Sequence, residues 1–222
     1  MGEGASTTTD VKGVVFDMDG TLLNTLPDLT ALTNAVLSDL GYPTHTEEAI
    51  RGFIGDGVRA LMMRAMPDSA SDDEKEAALA EWKSRYQEFG RRKTVPYPNI
   101  IEMLEGLKSK GVKLGVLSNK FDAAVKDLAG FYFPATFDVA KGESPTCPRK
   151  PDPTGLLASI QEIGLNPSQV AYIGDSAGDM KTAKAAGAMA IGVSWGYQTV
   201  DRLVSAGADM VIDDPLAILD LA

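Results

Sequence analysis

From residue 100 onward the chain alternates helical patterns with short apolar runs, and this alternation limits the possible folds more than any other feature. "IIEMLEGLKSKG", ending at Gly111, has helical spacing and a glycine stop, and "VKLGVLSN" (Val112–Asn119) is apolar and β-branched. "FDAAVKDLAG", "DPTGLLASIQEIG", "SAGDMKTAKAAG" and "QTVDRLVSAG" read as further helices, and "DPLAILDL" as a last one. Between them "FDVAKG", "VAYIGD", "AMAIGVS" and "DMVID" read as strands. Such a succession predicts an α/β fold built on a doubly wound, mostly parallel sheet. "VKGVVF" (Val11–Phe16) adds one more buried strand ahead of the series.

The stretch from Leu22 to about Val95 has a different texture. Leu29, Leu32, Val36, Leu37 and Leu40 lie at helical spacing before Gly41. Thr46–Met66 reads as two short helices around a glycine-rich turn, and Ser71–Lys93 as a longer helix opened by a Ser71/Glu74 capping box. No strand is expected here. The economical reading is one α/β core, residues 1–22 and 97–222, interrupted by a helical insertion, residues 23–96. The two crossings would lie side by side as a hinge. A length of 222 residues accommodates a core plus a smaller inserted unit.

Bulk properties narrow the partners. A formal net charge of -10 repels phosphodiester backbones and anionic lipid surfaces, so neither nucleic acid nor membrane is an expected partner. No apolar run reaches the ~18 residues that would span a bilayer. "MGEGASTTTD" lacks the basic flank and apolar centre of a signal peptide and reads as a loose terminus. Cys147, the single cysteine, can form no intrachain disulfide and reads as an incidental loop thiol. His45 is the only histidine and has no second one with which to hold zinc. Met62, Met63 and Met66, and the Trp82–Tyr86 pair, are expected to pack within the helical stretch.

In doubly wound sheets ligands bind at the carboxyl ends of the strands. Here the first strand ends in Asp17-Met18-Asp19-Gly20-Thr21, and the second in Ser118-Asn119-Lys120. The third is followed by Arg149-Lys150-Pro151, and the fourth ends in Gly174-Asp175 with Asp179 one turn later. In a parallel sheet all of these face one crevice. Clustered carboxylates repel each other, and burial adds to the cost. A hard divalent cation relieves both; Mg²⁺ takes oxygen ligands and leaves room for water or substrate phosphate. One carboxylate beside a bound phosphate can attack phosphorus. A second can protonate the leaving oxygen and then activate water. Ser118 and Lys150 can hold phosphoryl oxygens. Each feature also has a plain structural reading. Asp17 to Gly20 suits a strand-ending turn, Ser176 and Asp179 suit a helix cap, and "GFIGDG" suits a helix–helix turn. Ser118, Lys150, Arg51 and Arg59 suit ordinary surface positions.

The ordered set "DMDGT" (17–21), "LSN" (117–119), "RKPDP" (149–153) and "GDSAGD" (174–179) resembles the four motifs of the haloacid dehalogenase-like superfamily, over nearly the whole chain. "GFIGDGVRALM" and "DSAGDMKTAKAAGA" resemble segments of its phosphoglycolate phosphatase subgroup. The resemblance implies a Rossmannoid core with a helical cap, and a cytoplasmic monomer or homodimer acting on a small-molecule phosphate ester. It also implies Mg²⁺-dependent phosphomonoester hydrolysis through an aspartyl-phosphate, with 2-phosphoglycolate as the first substrate to consider. Asp17 would be nucleophile and metal ligand. Asp19 would be the general acid/base, its backbone carbonyl on the metal. Asp175 would be a ligand, and Asp179 a ligand or a neighbour of one. Ser118 and Lys150 would hold the phosphoryl group, with Thr21 and Asn119 lining its pocket. Arg51 and Arg59 are the cap cations to test for the substrate's carboxylate or phosphate.

A phosphomutase of the β-phosphoglucomutase type, a pyrophosphatase and a sugar-phosphate phosphatase would share these motifs. A dehalogenase is disfavoured by Asp19, which phosphoryl-transfer members keep. A non-catalytic phosphate-binding module would have no need of the intact set Asp17, Asp19, Ser118, Lys150 and Asp175.

Overall fold

A computed structural model describes residues 11–221 of the 222-residue chain; the loose terminus expected for residues 1–10 lies outside the described residues. The chain opens with β1 (Gly13–Phe16) and a two-residue strand, β2 (Leu23–Asn24). Four helices follow, α1 (Leu26–Asp39), α2 (Glu47–Phe53), α3 (Gly57–Ala65) and α4 (Asp72–Phe89), then a second two-residue strand, β3 (Val95–Pro96). Beyond it come α5 (Ile100–Ser109), β4 (Lys113–Phe121), α6 (Asp122–Tyr132), β5 (Val139–Glu143) and α7 (Thr154–Glu162). The chain continues through β6 (Val170–Gly174), α8 (Ala177–Ala186), β7 (Met189–Val193), α9 (Val200–Ser205) and β8 (Met210–Ile212). The last segment expected as a helix, Pro215–Leu221, is a 3-10 helix. No helix among the described residues is long and apolar enough to cross a membrane.

Six strands form one sheet in the order β5-β4-β1-β6-β7-β8, every pairing parallel. The sheet is buried on both faces, which is why its strands read as continuous apolar runs. Side chains alternate between two clusters as the pleat requires. Val14, Phe16, Leu114, Val116, Ala171 and Ile173 pack on the α5 and α6 side with Met103, Leu107 and Leu128. Val15, Leu117 and Tyr172 pack on the α7 and α8 side with Ile160 and Met180. Each fully buried aliphatic side chain contributes about 1.5–3 kcal/mol. The strand order reverses direction between β1 and β6, so the crevice of a doubly wound sheet opens at their carboxyl ends.

Helices α1 to α4 bury a separate cluster that includes Leu32, Leu37, Ile50, Met62 and Trp82. The Ser71/Glu74 capping box forms at the start of α4. Trp82 packs on Tyr86 with ring centroids 5.6 Å apart and donates to Thr33 Oγ1 at 3.1 Å. His45 Nε2 lies 2.8 Å from the Ala65 carbonyl oxygen, joining two turns of this segment. Contrary to the expectation of no strand in this stretch, β2 and β3 pair antiparallel, Leu23 opposite Pro96 and Asn24 opposite Val95. A pair two residues long has no periodicity for a sequence to display. Asp28 pins the second crossing by accepting from Lys93 N, Thr94 N and Thr94 Oγ1. Cys147, in the loop between β5 and α7, is buried in the cluster that includes Leu117, Leu156 and Ile160, where burial pushes its thiol up from the ordinary value.

Candidate active site

Asp17 follows the last residue of β1 and Asp175 the last residue of β6, and these strands pair Phe16 with Ile173. The two carboxylates therefore emerge side by side at the point where the strand order reverses. Asp179, one turn into α8, joins them: one carboxylate oxygen from each of the three lies within 4.8 Å of the others. Glycines make the approach possible. Gly20 has φ +82° and passes so close to Asp175 that a Cβ there would lie 2.3 Å from Oδ2. A Cβ on Gly174 would lie 2.3 Å from Asp179 Cγ.

The inner charges are strongly paired. Lys150 Nζ lies 2.9 Å from Asp17 Oδ2 and 2.6 Å from Asp179 Oδ1. Asp179 Oδ1 also accepts from the Tyr172 hydroxyl at 3.0 Å, and Oδ2 accepts from Ser176 N and Oγ at 2.9 and 2.5 Å. Both Asp179 oxygens thus carry two donors, so its carboxylate caps α8 and fixes Lys150. Asp175 Oδ2 accepts from Tyr197 N at 2.7 Å, and Asp17 Oδ1 from Met18 N at 2.7 Å. Asp17 and Asp175 have the spare oxygen capacity for a metal ion.

Electrostatics point the same way. Asp17, Asp19, Asp175 and Asp179 stand against Lys120 and Lys150, leaving carboxylate charge in excess. Burial, then the Asp179 and Asp19 charges, push Asp17 up to about 6 despite the Lys150 ammonium. Burial and the neighbouring Asp179 and Asp17 hold Asp175 well above the ordinary carboxylate range. Burial alone would lower the Lys150 ammonium; Asp17 and Asp179 overcome that and hold it above the usual lysine value. An all-oxygen, buried, excess-negative set suits a hard divalent cation such as Mg²⁺.

A cavity of about 320 Å³ opens over this cluster. Asp17, Asp19, Ser118, Asn119 and Asp175 line it from the strand ends, and Arg51, Ile54, Gly55, Val58 and Leu61 from the helical segment. Asn119 is a double connector: Oδ1 accepts from Lys150 N at 2.8 Å, and Nδ2 donates to the Gly55 carbonyl at 2.9 Å. Arg51 lines the cavity but is already engaged, donating from Nε to Tyr197 O and from Nη2 to Gly196 O, each at 3.1 Å. Four expected residues are not in the cavity lining: Lys150, which contacts Asp17, Asp179, which contacts Lys150, and Arg59 and Thr21. Arg59 pairs with Glu76 across α3 and α4 and lies outside the lining. Thr21 is buried beneath, because Leu22 N and Leu23 N both bond to Met18 O and fold the turn inward. The Thr21 hydroxyl has no hydrogen-bond partner among the described residues.

Among the cavity residues to which the sequence assigned no role, Lys120 bears on Asp19 most directly. Lys120 is 8% exposed and lies 3.1 and 3.2 Å from the two oxygens of Asp19. Thr25 Oγ1 donates to Asp19 Oδ1 at 2.7 Å, and the Tyr197 hydroxyl approaches Thr25 Oγ1 at 3.2 Å. The only sequence signal for Lys120 is its place directly after Ser118-Asn119.

Comparison with known proteins fits this geometry. The family model for haloacid dehalogenase-like hydrolases matches residues 14–193. An N-acetylmuramic acid 6-phosphate phosphatase of Pseudomonas aeruginosa is 33% identical, over 95% of this chain and 94% of its own. A phosphoglycolate phosphatase of Pseudomonas putida is 35% identical, over 93% of this chain and 78% of its own. A solved haloacid dehalogenase-like family hydrolase of Streptococcus pneumoniae superposes with a TM-score of 0.85 at 26% identity, covering 95% of this chain and 98% of that one.

Proposed function

The chain belongs to the haloacid dehalogenase-like hydrolase family, as one of its phosphatases, and from that premise we propose that it hydrolyses a small phosphate monoester with Mg²⁺ through a phosphoryl group carried on Asp17. The observation that carries the proposal is the convergence of Asp17, Asp175 and Lys150 at the β1–β6 switch point beside the cavity. The Asp17 and Asp175 carboxylates and the Asp19 backbone carbonyl would hold Mg²⁺, which when bound offsets the clustered charge and polarises the phosphoryl oxygens.

Lys150 and Ser118 hold the phosphoryl group against Asp17. An Asp17 oxygen forms a bond to phosphorus as the bond to the ester oxygen breaks, and Asp19 gives that leaving oxygen its proton. In the second half, Asp19 takes a proton from water, the water oxygen bonds to phosphorus, and the bond to Asp17 breaks. Inorganic phosphate leaves and the Asp17 carboxylate is restored. Residues 23–96 act as the cap, with β2 and β3 as its hinge, and exclude bulk water during the first half.

The first substrate to test is 2-phosphoglycolate. A second reading, a larger acid-bearing sugar phosphate such as N-acetylmuramic acid 6-phosphate, is supported by the relative of that activity and by the apolar wall that Ile54, Val58 and Leu61 give the cavity of about 320 Å³. The test is phosphate release from a panel of small phosphorylated acids, sugars, nucleotides and an aryl phosphate, with and without Mg²⁺. Release from none of them under any metal would reject the proposal in favour of a binding module; an isomerised sugar phosphate in place of free phosphate would favour the mutase.

A further inference from the structure

We propose that Lys120 is a positioning residue for Asp19, fixing the orientation of the acid that serves the leaving oxygen. The inference rests on the phosphatase reading above and deepens it. Lys120 stands near the end of β4, where the β4–β5 register shifts between Leu117 and Phe121. Its side chain is turned inward, and the Tyr86 ring from α4 covers it with the ammonium 5.1 Å from the ring centroid. A buried ammonium requires a compensating carboxylate. The two lysines divide the acids between them: Lys150 serves Asp17 and Asp179, and Lys120 serves Asp19.

The geometry explains what Lys120 does. It approaches both Asp19 oxygens, 3.1 and 3.2 Å away, while Thr25 takes only Oδ1. A carboxylate gripped at one oxygen can rotate about its terminal torsion, whereas one gripped at both has its plane set. Asp17 and Asp175 share the cavity wall with Asp19 and repel it. Without Lys120 the single Thr25 contact would leave the acid free to turn away. Tyr86 belongs to the helical segment, so Lys120 also joins the position of α4 to that of Asp19.

A residue that positions an acid has a signature that a phosphate-binding or merely structural lysine lacks. Proton donation matters for an alcohol leaving group and little for p-nitrophenolate. The test is therefore kcat and KM of wild type, K120M, K120R and D19N with Mg²⁺ on p-nitrophenyl phosphate, phenyl phosphate and glycerol phosphate. A positioned acid is worth roughly 10²–10⁴-fold. K120M should lower kcat/KM, which reports the half in which the leaving group departs, for the alkyl ester at least about tenfold more than for the p-nitrophenyl ester, following the trend of D19N, and K120R should recover most of the difference. An equal loss of kcat/KM across the three esters would overturn the assignment. Should K120M fail to fold, K120Q, one atom shorter but still polar, reads the same ratio. Inactivity of wild type on every ester would reject the phosphatase reading itself; an active wild type with a leaving-group-independent K120 variant would reject only the role of Lys120.

Discussion

Asp179 Oδ1 receives the Lys150 ammonium at 2.6 Å, with both side chains buried. With two donors on each oxygen, its carboxylate caps α8 and holds the lysine that faces Asp17. Removing one member of a buried pair costs about 3–5 kcal/mol. D179N should fall near the lower end, because Lys150 keeps Asp17 as a partner. Urea unfolding measures it, and an unchanged midpoint would show that the pair does not stabilise the fold.

Mg²⁺ binding should strengthen with pH. The raised value of Asp17, about 6, has a definite sign in the metal-free protein. Between the ordinary carboxylate value and about 6 the folded state holds a proton that the unfolded state has lost, so this group's contribution to stability falls as pH rises. Asp175 is shifted in the same direction. A metal binds the deprotonated carboxylates and removes the penalty. The increase in melting temperature on adding Mg²⁺ should thus be small at pH 5 and larger at pH 7–8, as calorimetry with and without chelator would show. A pH-independent increase would place the metal elsewhere.

Arg51 should act mainly on closure. Its two bonds to the Gly196 and Tyr197 carbonyls tie α2 to the loop after β7. Hydrogen bonds from charged groups contribute about 1.5–3 kcal/mol each when buried, and less at a side chain that is 40% exposed. R51A should raise KM about tenfold and expose the helical segment to limited proteolysis. A variant with faster cleavage and unchanged KM would separate closure from substrate binding.

Gly20→Ala tests the close approach to Asp175, proposed above as a metal ligand. It would place a Cβ 2.3 Å from Asp175 Oδ2 at a φ of +82°. The left-handed strain alone costs about 1–2 kcal/mol, and the collision must also displace Asp175. Titration calorimetry should show Mg²⁺ affinity reduced at least about tenfold. Wild-type affinity would mean that Asp175 does not bind the ion.

Much of this architecture was legible in the sequence because it rests on strands buried on both faces. "GVVF" and "VAYIG" had to be apolar, so Asp17 and Asp175 stood out as breaks at their ends. Asp179 was legible only as ambiguous, since a helix-capping acid and a metal ligand have the same spacing; its saturation by Lys150, Tyr172 and Ser176 needed coordinates. Lys120 was placed at a strand end but given no role, because nothing local tells a buried strand-end lysine from a solvated one. Its burial depends on Tyr86, 34 positions earlier in the sequence. Arg51 and Arg59 lie on short adjacent helices, and only their packing showed that one reaches the cavity while the other pairs with Glu76. The β2–β3 pair, two residues on each side, was below any pattern a sequence can carry.

The most direct measurement of Asp17 as nucleophile is phosphate release by wild type and Asp17→Asn, both with Mg²⁺, on the best ester from the panel. Asn keeps the size and the Met18 N contact but lacks the anionic oxygen that attacks phosphorus. Turnover by the variant should fall to background while its melting temperature shows that it is folded. A folded Asp17→Asn protein that releases phosphate at the wild-type rate would contradict the mechanism.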